Sequence, residues 1–462
     1  MSTTEPLLGV PSTCAAGLSG LDRAAKTWWQ RVMQARHGLD QRLRGDVTVG
    51  LISLVLVAIA GLAVNTLVGR YYPPEVLGQF SQIFALYALV AQLAAAGCQY
   101  SAVKFVAEAH GDVRREALVV VSGLAVTLVT STVASMAFWG IRQPLADLMR
   151  SEPLAVGLAW ITPALFMFTI NKVAMAVFNG QRRMRLYAGL QAARPVLLMI
   201  ALGVAVTARV PGPQLPVIFI VAEGLLLMAC AIPLLGPLRT VYRMGNEARE
   251  VWSHARSHLS FGLRSVLSGV LLQLNTRIDV LMLGLWTTDH VVGLYALAAT
   301  FSEGLSQLPL LFRRNFNPLL AQLSAGNKTA ELQRLIHDGK RYVMLIVGAI
   351  TILCVALFPA WISLATGRLN EYWSSWPMLA ILAVGVAGSA GSVAFRQLLL
   401  QAGYPGTYTG VLVACCAVNA AINVLLIPLW GGCGAAVATT LAMLASVLVM
   451  RQIIRRTLCV HV

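Results

Sequence analysis

Apolar runs about twenty residues long, divided by short polar junctions, follow one another along nearly the whole chain. A helix needs about 20 such residues to cross roughly 30 Å of hydrocarbon. By that measure the first half carries spans at 47–68, 79–99, 117–139, 154–178, 186–207 and 215–236. The second half carries 259–285, 291–312, 341–363, 375–400, 409–429 and 433–450. Glycines and prolines dispersed through continuous apolar runs predict helices, since a transmembrane barrel would show shorter segments of alternating polarity. The pattern therefore predicts an all-α polytopic membrane protein of about 12 transmembrane helices. The first run lies behind a polar stretch, residues 1–46, and so does not read as a cleavable signal peptide.

The polar junctions set the orientation. Most of the 35 Lys and Arg residues fall on one side: Arg23 to Arg44 before the first span, Lys104, Arg114 and Arg115, Arg182 to Arg185, Arg239 to Arg256, Lys328 to Arg341, and Arg451 to Arg456. The opposite side has Arg70, Arg142, Arg150, Arg209 and Arg368. This bias predicts that both termini are cytoplasmic.

Composition agrees: 57% of residues are hydrophobic and 12% charged, with a mean hydropathy of +0.72. A soluble domain carries about a quarter charged residues. The net charge of +16 follows from the one-sided junctions and implies contact with membrane lipids rather than nucleic acid, because no compact basic domain is present. Eight cysteines without a CxxC pattern read as small apolar fillers, and seven scattered histidines show no metal-ligand spacing. No cofactor and no metal is implied.

A repeat organises the chain. At an offset of 215 residues Gly69 falls on Gly284, Gly78 on Gly293, Phe80 on Tyr295, Gly111 on Gly326 and Glu116 on Glu331. The segment LVGRYYPPEVLGQF then overlies MLGLWTTDHVVGLY as a tight hairpin between the first two spans of each half. Because the seventh span falls on the first, both halves enter the membrane from the same side, giving a parallel repeat. The predicted organisation is a cytoplasmic segment 1–46, an N-lobe 47–236, a linker 237–258, a C-lobe 259–450 and a cytoplasmic tail 451–462, with a cavity between two six-helix lobes.

Charges inside the spans are the candidate chemistry. Lys172, Arg194, Arg264, Arg277, Arg313, Arg314 and Arg396 are basic; Asp279, Glu223 and Glu303 are acidic. A charge in hydrocarbon is costly and usually faces protein or water. A cationic excess suits an anionic substrate, and arginine offers a planar fork matched to phosphate oxygens. Arg194 sits well inside the fifth span beside Pro195, and Arg264 belongs to a stripe with Ser260, Ser268, Asn275 and Asp279. A second stripe joins Glu303, Gln307, Arg314 and Asn317 in the eighth span. Arg313, Arg314, Lys172 and Arg396 lie near cytoplasmic ends, where contact with lipid phosphates competes with contact to a substrate. The acids are candidates for ion coupling or charge pairing. Few acids, short outer loops and the lack of a GxxxxGK phosphate loop leave no hydrolase, transferase or ATPase reading.

Residues 69–108, GRYYPPEVLGQFSQIFALYALVAQLAAAGCQYSAVKFVAE, resemble the opening of Wzx-type polysaccharide flippases, and 274–309, LNTRIDVLMLGLWTTDHVVGLYALAATFSEGLSQLP, resembles their seventh and eighth helices. These belong to the multidrug/oligosaccharidyl-lipid/polysaccharide exporter superfamily, and the likeness extends over about residues 45–450. The resemblance implies a MATE/MOP-like fold. It also implies alternating-access movement of an undecaprenyl-diphosphate-linked oligosaccharide from the cytoplasmic to the periplasmic leaflet, for exopolysaccharide, capsule or O-antigen synthesis, alongside a polysaccharide polymerase and a chain-length regulator. The alternative is a MATE-like proton- or sodium-coupled exporter of drugs or cations. A membrane subunit without transport is a third class.

Overall fold

The computed structural model describes residues 59–245, 248–325, 329–393 and 405–458. These residues are almost entirely helical. Helix α1, described over 59–71, runs into a Pro73-Pro74 turn. Proline suits that place because its missing N–H is one that a first helical turn leaves unpaired anyway. Then come α2 (Pro74–Ala94), α3 (Cys98–Glu108), α4 (Val113–Gly140), α5 (Arg142–Leu148), α6 (Glu152–Gly180), α7 (Met184–Thr207) and α8 (Val217–Met244). The second half holds α9 (Ala248–Trp286), α10 (Asp289–Ala325), α11 (Thr329–Thr366), α12 (Leu369–Tyr372), α13 (Ser375–Val393) and α14 (Pro405–Leu458).

Among the described residues nine helices are long and apolar enough to cross a membrane. They do not include α1, of which only residues 59–71 are described, or the more polar α10. One of the nine, α14, contains two of the expected spans. Gly431 interrupts it at φ 53° and ψ −127°, so it is two helices meeting at a kink. The stretch 237–258, expected as a linker, is helical at 237–244 and 248–258, because α8 and α9 run on past their apolar segments.

Local chemistry explains the joints. Asp112 caps α4 by accepting from the Arg115 N–H at 3.0 Å, replacing a hydrogen bond the first turn lacks. Between α2 and α3 the backbone turns through Ala96 and Gly97, both at positive φ (45° and 72°). Gly97 is needed there twice over, since a Cβ would also run into the backbone of Gly262 on α9.

Two packing regions decide the shape. The larger core joins both halves: Phe80, Ile83 and Tyr87 of α2 and Leu158 and Leu165 of α6 pack with Leu283 of α9, Tyr295 of α10 and Phe358 of α11. It extends to the end that carries the two hairpins. A second core, at the opposite end, is built from the first half alone, with Cys98, Val106, Val119, Phe178 and Leu234. There the first turns of α9 lie against α3 and α4. His258, buried, sits 2.7 Å from Ser101 Oγ and 3.0 Å from the Val119 carbonyl. The halves are thus joined through the larger core toward the hairpin end, and at the basic end through the first turns of α9 on α3 and α4.

Candidate functional site

The hairpin end is closed by residues related through the repeat. Glu75 and His290, 215 positions apart, pair at 2.8 Å. The Asp289 carboxylate accepts from Gln79 at 2.9 Å, Gln82 at 2.9 Å and Ser151 at 2.6 Å, all in the first half.

Deeper in the first half lies a polar cluster that the sequence did not bring together. Arg194, on α7, meets Glu223, on α8: Nε is 2.7 Å from Oε1, and Nη2 donates to Oε2 at 3.3 Å. Glu223 is 1% exposed and Arg194 22%, so the pair is screened little by water. Asn171 donates from Nδ2 to the Glu223 carboxylate and carbonyl, both at 2.9 Å. The guanidinium lies 4.4 Å from the centre of the Phe168 ring, a cation–π contact that holds its plane. One residue on from Asn171, Lys172 donates to Gln92 Oε1. Gln92 in turn donates to Tyr100 at 3.2 Å, and both side chains press on α9 where Gly269 leaves room.

In the second half, Arg277 on α9 pairs with Glu303 on α10 at 2.8 Å and 3.3 Å. Its guanidinium stands 5.1 Å from the Phe84 ring of α2, so this pair faces the first half. Asp279 turns the other way. It accepts from Tyr295 and from the Val280 N–H at 2.8 Å, inside the second half. Its partner is a phenol rather than an arginine.

Helix α9 has three faces near its start. Ala255, His258, Gly262 and Gly269 are buried against the first half. Trp252, Leu259, Leu263 and Leu267 form an exposed apolar face suited to lipid. Ser253, Ser257, Ser260, Arg264 and Ser268 are exposed as well and form a polar face, most of it lining a groove together with Arg256 and Phe261. An exposed polar face beside a lipid-suited one belongs to a helix that borders water within a membrane.

Counting partners changes the electrostatic picture. Arg194 and Arg277 each have a carboxylate. Among the described residues Lys172 has a neutral acceptor and Arg264 is in no ion pair. Among the described candidates, those two are the cations without a carboxylate. Arg396, and the side chains of Arg313 and Arg314, lie outside the described residues. So does Asn317 of the second polar stripe. No group of three or more His, Cys, Asp or Glu side chains that would hold a metal occurs among the described residues.

Comparison with known proteins adds the family. The model of the family described as polysaccharide biosynthesis protein matches residues 43–323, more than half of the chain. The chain belongs to that family. A comparison with the curated proteins gives no match. Among solved structures, the lipid II flippase MurJ in an inward closed conformation superposes with a TM-score of 0.70 at 13% identity, covering 88% of this chain and 87% of that one. An inward-facing multidrug resistance MATE family transporter of the MOP superfamily gives 0.67 at 13% identity, covering 89% and 98%. The Vibrio cholerae MATE transporter VcmN in the bent form gives 0.53 at 14%, covering 95% and 98%. The family member is thus a multi-pass membrane protein with the fold of MOP-superfamily transporters.

Proposed function

We propose that the protein flips an undecaprenyl-diphosphate-linked oligosaccharide from the cytoplasmic to the periplasmic leaflet, in the synthesis of exopolysaccharide, capsule or O-antigen. The observation that carries this reading is a pair of cations without a carboxylate among the described residues: Lys172, hydrogen-bonded to the neutral Gln92, and Arg264, exposed in the polar groove of α9. A diphosphate offers the negative charge they lack, and its oxygens accept charge-assisted hydrogen bonds of the stronger kind. Arg194, Arg277, Arg313, Arg314 and Arg396 complete the proposed set, with Asp279, Glu223 and Glu303 as pairing or coupling groups. Family membership and the fold shared with a lipid II flippase support a lipid-linked cargo.

In this reading twelve helices form two lobes, 47–236 and 259–450, joined through 237–258. Segment 1–46 and tail 451–462 are cytoplasmic, and the membrane is the bacterial inner membrane. The lobes rock about the hairpin end, which is periplasmic, and the lipid headgroup is loaded from the cytoplasmic side. The polymerase and chain-length regulator of the same polymer are the expected protein partners.

The fold shared with MATE transporters supports a second reading, an exporter of organic cations. Purified protein in liposomes separates the two: labelled undecaprenyl-diphosphate sugar should cross in its presence, and a cationic dye should not. Movement of the dye alone rejects the flippase.

A further inference from the structure

Lys172 has an amide where a carboxylate would be expected. The lysine is half-buried on α6, with its ammonium 6.0 Å from the centre of the Phe168 ring that the Arg194 guanidinium also faces. Glu223 is taken by Arg194, and Lys172 donates instead to Gln92 Oε1. Gln92 is 5% exposed, and its other end is in use as well, since Nε2 donates to Tyr100 Oη at 3.2 Å. A neutral acceptor holds a cation less firmly than a charged one does, so an anion can draw this lysine away.

Helix α9, from the second half, fixes that amide from the other side. Gly262 and Gly269, both buried, lie on one face of α9 about two turns apart. At Gly262 the neighbour is backbone, that of Ala96 and Gly97, and it sets how near α9 comes. At Gly269 the neighbours are the ends of two side chains, Gln92 Nε2 and Tyr100 Oη, so close that a Cβ would overlap both. With α9 seated there, Gln92 has no room to swing off Lys172.

We propose that Gln92 is a stand-in ligand for Lys172 under the control of α9. While α9 is seated at Gly269 the amide holds the ammonium; as α9 withdraws, the amide swings into the space vacated and Lys172 passes to the diphosphate. This rests on the lipid-diphosphate reading given above. A carrier has to grip its cargo in one arrangement of its halves and release it in another, which requires unequal affinity in the two. Gln92 makes them unequal, because it competes for the lysine in one arrangement only. By the same linkage, bound lipid favours the arrangement with α9 withdrawn. Gln92 is thus a positioning residue that acts on the cargo through Lys172. A carboxylate in its place would keep the lysine in both arrangements.

The test titrates the purified full chain in detergent with undecaprenyl diphosphate. Gln92→Met keeps the length of the side chain and removes the competing acceptor, so it should bind the lipid about tenfold more tightly than wild type; Gln92→Glu should bind about tenfold more weakly. Gly269→Ala displaces Gln92 without touching Lys172, so it should also tighten binding and add nothing to Gln92→Met. In a Lys172→Gln background Gln92→Met should change nothing, a dependence that a merely structural role would not produce. In liposomes Gln92→Met should half-saturate at lower lipid concentration and turn over more slowly at saturation. Wild-type or weaker binding by Gln92→Met, or a gain that persists without Lys172, overturns the competition; wild-type binding by Gly269→Ala overturns the control by α9. Should Gln92→Met fold poorly, Gln92→Glu and Gly269→Ala decide. Failure of wild type and Gln92→Met alike to bind the lipid overturns the substrate reading, and this proposal with it.

Discussion

Gly78 and Gly293, 215 residues apart, face one another where α2 meets α10. A Cβ on Gly78 would overlap the carbonyl oxygen of Asp289, and one on Gly293 would overlap that of Pro74. Pro74 and Asp289 are themselves repeat partners, as are Glu75 and His290 beside them. The two hairpin segments thus meet at residues that correspond under the 215-residue offset.

Because the obstructing atoms are backbone, neither glycine can be enlarged without parting the helices. Gly78→Ala and Gly293→Ala should each destabilise the clamp by about 1–3 kcal/mol, lowering the melting temperature in detergent. The approximate symmetry predicts similar losses from the two. Wild-type stability for both would show that α2 and α10 do not approach this closely.

Asp289 is the polar half of the same clamp. Asp289→Ala leaves the Gln79, Gln82 and Ser151 donors without their acceptor, and an orphaned buried group costs about 1–3 kcal/mol. The closed hairpin end should lose population by about tenfold or more. Spin labels at Tyr71 and Trp286, exposed repeat partners flanking the clamp, should report a longer distance in the variant. An unchanged distance distribution would show that the carboxylate network does not hold the halves together.

The buried pair makes a stability cycle possible. Arg194→Gln alone strands Glu223 and should cost about 3–5 kcal/mol, whereas Arg194→Gln/Glu223→Gln removes both charges and should recover most of that. Thermal unfolding of the three purified proteins checks it. Equal destabilisation by the single and double changes would mean that the pair is not coupled.

Much of the fold was legible because the bilayer enforces it. Runs of twenty apolar residues appear as helices, and the repeat offset taken from glycines matches the contact at Gly78 and Gly293. Side-chain partners were less legible. Arg194 and Glu223 lie on different helices, 29 residues apart, and no periodicity within one helix reveals a contact between two. The stripe along α9 holds for Ser260, Arg264 and Ser268 and fails at Asp279. At about 100° per residue, nineteen residues leave Asp279 roughly 100° away from Ser260, enough to turn it to Tyr295 inside the second half. Lys172 looked like an interfacial lysine because it stands near a helix end. Its role as the half-buried cation with a neutral partner depends on Gln92, 80 residues earlier.

The central claim is that the two unmatched cations receive an anionic lipid headgroup. Its most direct test is flipping of labelled undecaprenyl-diphosphate sugar in liposomes by wild type and Lys172→Gln/Arg264→Gln at equal reconstitution, with Arg451→Gln as the control for a basic residue at the bundle end. The double variant should lose about tenfold or more of the rate, matching about 1.5–3 kcal/mol for a charge-assisted hydrogen bond, while the control flips normally. Flipping by the double variant at the wild-type rate would contradict the account.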